Sequence, residues 1–296
     1  MPYIRYKEIN FRIKNRAMIE IANDICNEYV AQGYILTLRQ LYYQFVARGH
    51  IANSQKEYTN LGNLISDARL AGLIDWDAIE DRTRNLEAQA TWDSPKEVLE
   101  GAAKQFKYDY WNNQPVRIEV WVEKEALVGV VERTAFKYRC PYFACRGYSS
   151  QSETWRAGQR FKDYFDKGQS IKVIHLGDHD PSGIDMTRDN KDRLWLFSEE
   201  SNVKVIRVAL NEDQVRLHNP PPNPAKLTDT RAADYIRKFG DESWELDALD
   251  PTIIDELISA EIEKYIDWDN WDEIKAKEKA SREKIAELAK SWEDDA

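Results

Sequence analysis

The sequence predicts an α+β protein of more than one domain: a helical N-terminal domain, then an α/β domain built on a central parallel sheet. Three observations carry this. Up to about residue 95 the apolar residues follow helical spacing, with capping signals and a single strand-like segment. From residue 118 onward, short β-branched apolar runs alternate with amphipathic helices, the pattern of a parallel sheet covered on both faces. The length of 296 residues suffices for one large core or two ordinary ones.

The stretch 8–32 reads as one amphipathic helix closed near Gly33. Thr37-Leu38-Arg39-Gln40 has the Ser/Thr-x-x-Glu/Gln form of a capping box, so a helix starts at Leu38 and runs to about Arg48, where Gly49 can stop it. A third helix is expected from about Tyr58 to Ala71, with Leu61, Leu64, Ile65 and Ala68 on one face and Gly72 at its end. The segment Leu73–Ile79 then alternates roughly as a short strand would. Helices followed by a short strand suggest a winged helix, in which the last helix and the wing touch nucleic acid. A plain helical domain without a ligand is the competing interpretation.

Residues 96–114 read as a connector. Beyond it, Ile118–Val122, Pro141–Ala144, Ile171–Leu176 and Val203–Val208 read as strands. A helix is expected from about Ala126, and another runs from the capping box Ser150-Gln151-Ser152-Glu153 to about Asp166. Asn219–Pro224 is too rich in proline for regular helix and reads as a stiff loop, with partner docking as the lesser interpretation.

The formal net charge of −10 argues at first against nucleic acid. Its distribution changes that. Residues 241–296 hold 19 acidic and 7 basic side chains, whereas the other 240 residues hold 33 acids against 35 bases. Residues 1–60 hold 8 bases and 5 acids. The acidity is a C-terminal feature, read as a solvated helical tail, and the N-terminal part can face a polyanion. No apolar run approaches the ~18 residues of a membrane span, and the charged N-terminus is not a secretory signal. Cys26, Cys140 and Cys145 lack metal-ligand spacing and read as reduced thiols of a cytoplasmic protein, with a disulfide left open.

In parallel sheets, functional residues gather just past the carboxyl ends of strands. Two strands here end in acids: Val122-Glu123-Lys124-Glu125, and Gly177-Asp178-His179-Asp180-Pro181-Ser182-Gly183. In an extended turn the carboxylates of Asp178 and Asp180 can point the same way, and Glu123, 55 residues before Asp178, can complete a three-carboxylate cage. Hard oxygen donors of this kind suit Mg²⁺ with a substrate phosphate. Taken alone, Asp-x-Asp is common in surface loops; its place after an apolar strand, with the following Pro-x-Gly, raises its meaning. Glu125 and Asp185 are acidic neighbours that capping or solvation explains. The four histidines form no triad with a credible nucleophile.

These two motifs together resemble the Toprim domain, in the variant of the topoisomerase VI A subunit and its meiotic double-strand-break relatives. The resemblance implies that Glu123, Asp178 and Asp180 bind Mg²⁺. It also implies a tyrosine nucleophile on a winged helix, which can be weighed against the helix from Leu38. There the apolar stripe is Leu38, Leu41, Tyr42, Phe45 and Val46, so Tyr42 reads as core. Tyr43 and Arg39 fall off the stripe and, four apart, share one helix surface. A guanidinium beside a phenol can bind the phosphate under attack and favour the phenolate. Leu38-Arg39-Gln40-Leu41-Tyr42-Tyr43 also resembles the family's Arg-x-x-aromatic-Tyr motif, which implies Tyr43 as nucleophile and Arg39 as its assistant. Trp244–Leu249 is similar to a Glu-x-x-Ala-Leu segment of the same family.

The expected architecture is therefore an α+β multidomain chain: a winged-helix-like DNA-binding domain over 1–95, a connector over 96–114, and a Toprim domain with its acidic helical tail over 115–296. Candidate nucleic-acid contacts are Asn60, Asn63, Arg69, Arg82 and Arg84, any one of which is also well explained as a polar side chain facing water. The resemblance implies DNA as substrate, a homodimer with the tyrosine of one subunit facing the metal of the other, and no membrane. No Gly-x-x-x-x-Gly-Lys segment is present, so strand passage would need a separate ATPase subunit. Two other functions stay open: a Toprim nuclease that hydrolyses DNA or RNA with water, and a non-catalytic nucleic-acid-binding module.

Overall fold

A computed structural model of the chain describes residues 3–80, 91–199 and 203–292. Helix α1 spans Ile13–Ala31, five residues shorter at its start than the periodicity suggests, because Arg12 is extended and carries no capping bond. Strand β1 (Leu36–Thr37) leads into α2 (Leu38–Ala47). The capping box there forms: Thr37 Oγ1 accepts from the Gln40 amide at 3.3 Å, and Gln40 Oε1 accepts from the Thr37 amide at 2.8 Å. Helix α3 spans Gln55–Leu70 and starts earlier than its apolar spacing implies, because Ser54 caps it by accepting from the Glu57 amide.

The segment 73–79 is not a strand. Asp75 Oδ1 accepts from the Asp77 amide at 2.9 Å and makes a turn. Arg69 then ties the turn down: its Nη2 donates to the carbonyls of Trp76 and Ile79, and its guanidinium lies 4.8 Å over the Trp76 ring. Only β2 (Ile79–Glu80) is extended, and it pairs in parallel with β1. The N-terminal part is thus three packed helices with a two-residue ladder. The candidate nucleic-acid contacts Arg82 and Arg84 lie outside the described residues.

The α/β part contains a four-stranded, fully parallel sheet in the order β4-β3-β5-β6. Its strands are β3 (Val116–Val122), β4 (Tyr142–Ala144), β5 (Ser170–Leu176) and β6 (Lys204–Ala209). The register of the central pair runs from Val116↔Ser170 to Val122↔Leu176. Residues following these two strands therefore leave the sheet side by side, which is what brings Glu123 next to Asp178. Helices α5 (Val128–Lys137), α6 (Gln151–Asp166) and α7 (Pro181–Ser198) make the crossovers. Then come α8 (Glu212–His218), β7 (Asn223–Pro224), α9 (Ala232–Phe239), β8 (Glu242–Ser243) and α10 (Pro251–Glu263). The proline-rich loop ends in β7, which pairs antiparallel with β8. Asn53 in the α2–α3 loop donates to the Pro222 carbonyl at 2.9 Å, so this loop touches the helical part.

The expected connector is partly a helix, α4 (Pro95–Gln105), opened by Ser94, which accepts from the Glu97 amide. It packs on α11 (Trp268–Ser291). The acidic tail is accordingly more than a solvated helix. Trp271 sits 4.7 Å from Tyr110 and 5.6 Å from Trp111, ring to ring. Buried Glu278 accepts from the Tyr108 amide at 2.8 Å and pairs with Arg139 and Arg282 at 3.0 and 2.9 Å. Most charges of this helix face outward while one stripe, Glu278 included, docks, so net charge alone misreads it. Trp271→Ala should lower the unfolding free energy by about 3–5 kcal/mol in urea titration, where a solvated tail would move it by less than about 0.5 kcal/mol.

One apolar core runs from Ile19 in α1 through Val120 in β3 to Ile274 in α11. A smaller one, around Trp121, Phe161 and Leu194, fills the other face of the sheet. The three cysteines are buried and free; burial pushes Cys145 up to about 11 and Cys26 up to about 12, which suits packing rather than nucleophilic work. No helix among the described residues is long and apolar enough to cross a membrane.

Candidate active site: an acidic cleft joined to the tyrosine helix

Glu123 leaves β3 with its amide still in the ladder, donating to the Leu176 carbonyl at 2.8 Å. Its Oε2 accepts from the Asp178 amide at 2.9 Å, so the two strand ends are tied directly. Gly177 makes this approach possible: a Cβ there would stand 2.9 Å from Glu123 Oε2. Asp178 Oδ1 accepts from the Leu246 amide at 2.8 Å, and Oδ2 lies 3.0 Å from Lys124 Nζ. Asp180 caps α7, its Oδ1 accepting from the Gly183 amide at 2.6 Å, with Pro181 in the first turn. Gly183 is required for a second close approach, since a Cβ would stand 2.2 Å from the Asp178 carbonyl oxygen.

Arg207 of β6 holds this loop from behind. Its Nη2 donates to the carbonyls of Gly177 at 2.9 Å, Asp178 at 2.6 Å and Leu210 at 3.1 Å. Its Nη1 donates to the Gly183 carbonyl at 2.9 Å and to Thr187 Oγ1 at 3.0 Å. Burial brings this guanidinium down to about 10, against the pull of Glu123, Asp178 and Asp180. His179, between the aspartates, faces the other way. Its ring is buried among Tyr235, Phe239 and Trp244, with Nδ1 2.7 Å from Tyr235 Oη. His175 is wholly buried, and burial takes it down to about 3. Neither histidine reaches the cleft.

The strand ends open onto a cleft of about 620 Å³. Six carboxylates and four cations line it, leaving two negative charges in excess. Lys124 stands at its centre, its Nζ 3.0 Å from each of Asp178 Oδ2, Glu245 Oε2 and Asp247 Oδ1. Burial alone would depress this ammonium, but the three carboxylates outweigh it and keep it charged. Asp247 Oδ2 lies 3.0 Å from Arg39 Nε without an aligned hydrogen bond. Glu245 Oε2 accepts from Arg39 Nε at 3.1 Å and from Arg39 Nη2. Burial works against the Glu245 carboxylate, yet Lys124 and Arg39 bring it down to about 2. For Asp178 burial wins, and its carboxyl is pushed up to about 7; Glu123 is raised by burial too, with Asp180 adding to it.

Arg39 thus joins the tyrosine helix to the acid cluster of the same chain. Its partners are carboxylates, although its side chain is still 41% exposed. Tyr43, expected on an open helix surface beside Arg39, is buried at 3% exposure, with the guanidinium 5.7 Å from its ring. The apolar stripe missed this because the segment after β8 covers the second face of α2. Burial raises the Tyr43 phenol, and Asp247 and Glu245 raise it further against Arg39, so this environment favours the neutral phenol rather than the phenolate. Tyr42 is core, as its spacing implies: its hydroxyl accepts from the Ser54 amide at 2.8 Å and donates to Asn53 at 2.9 Å.

Among the other candidates, Asn60 and Asn63 are exposed on α3 and line a groove of about 690 Å³ next to the α2–α3 loop. Arg69 is committed to the carbonyls of the 73–79 turn and is not a free surface cation. Lys124, Arg207, Glu245 and Asp247 were not singled out by motif reading. Lys124 lies between two acids of the first motif, and Glu245 and Asp247 open the Glu-x-x-Ala-Leu-like segment. Arg207 is signalled only as a charge inside the apolar run Val205–Val208.

The donor chemistry of Glu123, Asp178 and Asp180, hard oxygens at a site with excess negative charge, fits a divalent cation. Their side chains are turned onto backbone amides and Lys124, and among the described residues no three His, Cys, Asp or Glu side chains converge as a metal-binding group. Comparison of the chain with family models, curated proteins and solved structures finds no match.

Proposed function

We propose that the chain cleaves DNA in a Mg²⁺-dependent reaction through Tyr43, in the manner of a type IIB topoisomerase A protein. The observation that carries this reading is the continuous ion network from Arg39 on the tyrosine helix, through Glu245, Asp247 and Lys124, to Asp178 at the strand end. Nucleophile helix and acids are thereby neighbours, as a transesterification site requires. Glu123, Asp178 and Asp180 would hold Mg²⁺, which when bound polarises the phosphate and stabilises the leaving oxygen. The excess of two negative charges in the cleft is what one such ion neutralises. In the step itself the Tyr43 phenol oxygen forms a bond to phosphorus as its proton leaves. The bond from phosphorus to the sugar oxygen breaks, and that oxygen is protonated. The phosphotyrosine ester keeps the strand available for resealing. Asn60 and Asn63 are the candidate duplex contacts that remain free on α3. A homodimer and a separate ATPase subunit belong to the same proposal, with the tyrosine helix held against the acids of its own chain in place of the expected facing of one subunit's tyrosine on the other's metal.

A second reading keeps the acids and drops the tyrosine, with water as nucleophile on DNA or RNA. The burial of Tyr43 favours it. One experiment separates the two: supercoiled DNA with Mg²⁺, run on a denaturing gel before and after protease. Protein-linked ends support Tyr43, free ends support hydrolysis, and intact DNA under every metal tried would sink both.

Arg207 supplies a test of the site independent of cleavage. Arg207→Lys leaves one ammonium where a planar fork met several carbonyls. Divalent-cation affinity should fall by about 10–100-fold in calorimetry. Unchanged affinity would mean that the Asp178–Asp180 loop does not hold the ion.

A further inference from the structure

Glu245 differs from the other acids of the cleft in how it is held. Its Oε2 alone takes three N–H groups from two cations: Arg39 Nε at 3.1 Å, Arg39 Nη2, and Lys124 Nζ at 3.0 Å. A guanidinium fork and an ammonium closing on one oxygen is the donor set that binds a phosphate oxygen. Asp247 meets the same two cations, but its side chain is 0% exposed and cannot leave. Glu245 is 26% exposed and stands on the cleft wall, where an incoming anion can take its place. At the two cations the exchange is one negative charge for another, since a phosphodiester and a carboxylate each carry one. Glu245 also belongs to the acids that crowd Tyr43, so the place it fills adjoins the phenol.

Resting on the cleavage reading above, we propose that Arg39 and Lys124 form the seat of the scissile phosphate, and that Glu245 fills this seat in the substrate-free chain as a built-in stand-in for a phosphate oxygen. Substrate displaces the Glu245 carboxylate from the two cations while Asp247 stays as their counter-charge. The same displacement removes one of the two acids that crowd Tyr43. Lys124, now paired with Asp178 at 3.0 Å, would turn to the phosphate if Asp178 served as an ion ligand.

The test is binding of inorganic phosphate to the full chain by calorimetry in metal-free buffer. Glu245→Gln keeps the shape and removes the charge, and should bind phosphate at least about tenfold more tightly than the parent chain. Adding Lys124→Met should abolish that gain. No gain in Glu245→Gln, or a gain that persists in the double variant, would overturn the seat. A purely structural Glu245 would lower the melting temperature without tightening phosphate binding. Should Glu245→Gln not fold, the unaltered chain decides. Titrating phosphate against chloride at equal ionic strength must shift the ¹⁵N resonances of Arg39 Nε and Lys124 Nζ saturably, and no shift overturns the proposal. These outcomes are separable from the cleavage reading. Tighter phosphate binding without any protein–DNA adduct keeps the seat and removes the nucleophile, whereas an adduct without tighter binding does the reverse.

Discussion

Asp178→Asn is expected to abolish Mg²⁺-dependent cleavage while leaving the chain folded. The amide can keep the Oδ1 acceptor that receives the Leu246 amide at 2.8 Å, so the loop after β8 stays anchored to the strand end. What is lost is the charge that faces the cleft. Charge stabilisation by a bound ion is worth several kcal/mol in the transition state, so cleavage should fall by more than about 10³-fold. The measurement is a time course of nicking and linearisation at saturating Mg²⁺, set beside a melting curve. Cleavage within tenfold of the parent would remove Asp178 from the ion site. A melting temperature that collapses would make the residue a structural anchor instead, and Glu123→Gln would then carry the test. That variant can place its amide oxygen where Oε2 stands and so keep an acceptor for the Asp178 amide.

The strand ends were legible in the sequence because two local signals coincide there. Apolar β-branched runs give the strands, and the residues just past them inherit the position where a parallel sheet opens. The register Val122↔Leu176 then fixes Glu123 beside Gly177-Asp178 without further information. The capping box at Thr37 and the serine cap at Ser150, which accepts from the Glu153 amide, were legible for the same reason: each is settled within four residues. Ser54-Gln55-Lys56-Glu57 has the same Ser-x-x-Glu form, whereas the expected start near Tyr58 followed the apolar spacing alone.

What was not legible depends on contacts across long sequence separations. Arg39 and Glu245 are 206 residues apart, and Lys124 and Glu245 are 121 apart. Helical periodicity places Tyr43 off the apolar stripe of α2, but it cannot say that a loop two hundred residues later covers that surface. Nor can composition separate a solvated acidic helix from α11, whose docking stripe of Trp271 and Ile274 is diluted by the lysines and glutamates around it. The strand expected over 73–79 failed differently: alternation was present, but Asp75 and Arg69 satisfy that backbone through a turn.

Tyr43→Phe is expected to eliminate the covalent protein–DNA adduct, a loss of more than about 10⁴-fold when a nucleophile is removed. It should change stability by no more than about 1.5 kcal/mol, the ordinary net worth of one hydrogen bond. Tyr42→Phe is its control, one residue away and on the same helix. There the lost hydroxyl is the acceptor for the Ser54 amide and the donor to Asn53, so the α2–α3 turn loses its tie. About 1–3 kcal/mol of stability should go with the unsatisfied amide, and the adduct should persist. The pair therefore exchanges effects: chemistry for Tyr43, stability for Tyr42. Radiolabelled DNA retained on the protein after denaturation reads the first, and urea titration the second. Free cleaved ends from Tyr43→Phe at the parent rate would assign the reaction to water and leave Tyr43 as the packed underside of Glu245. If the adduct instead vanishes with Tyr42→Phe and persists with Tyr43→Phe, the nucleophile lies on the stripe. In that case α2 must turn about its axis to expose it, breaking the Arg39–Glu245 link that now holds the helix against the cleft.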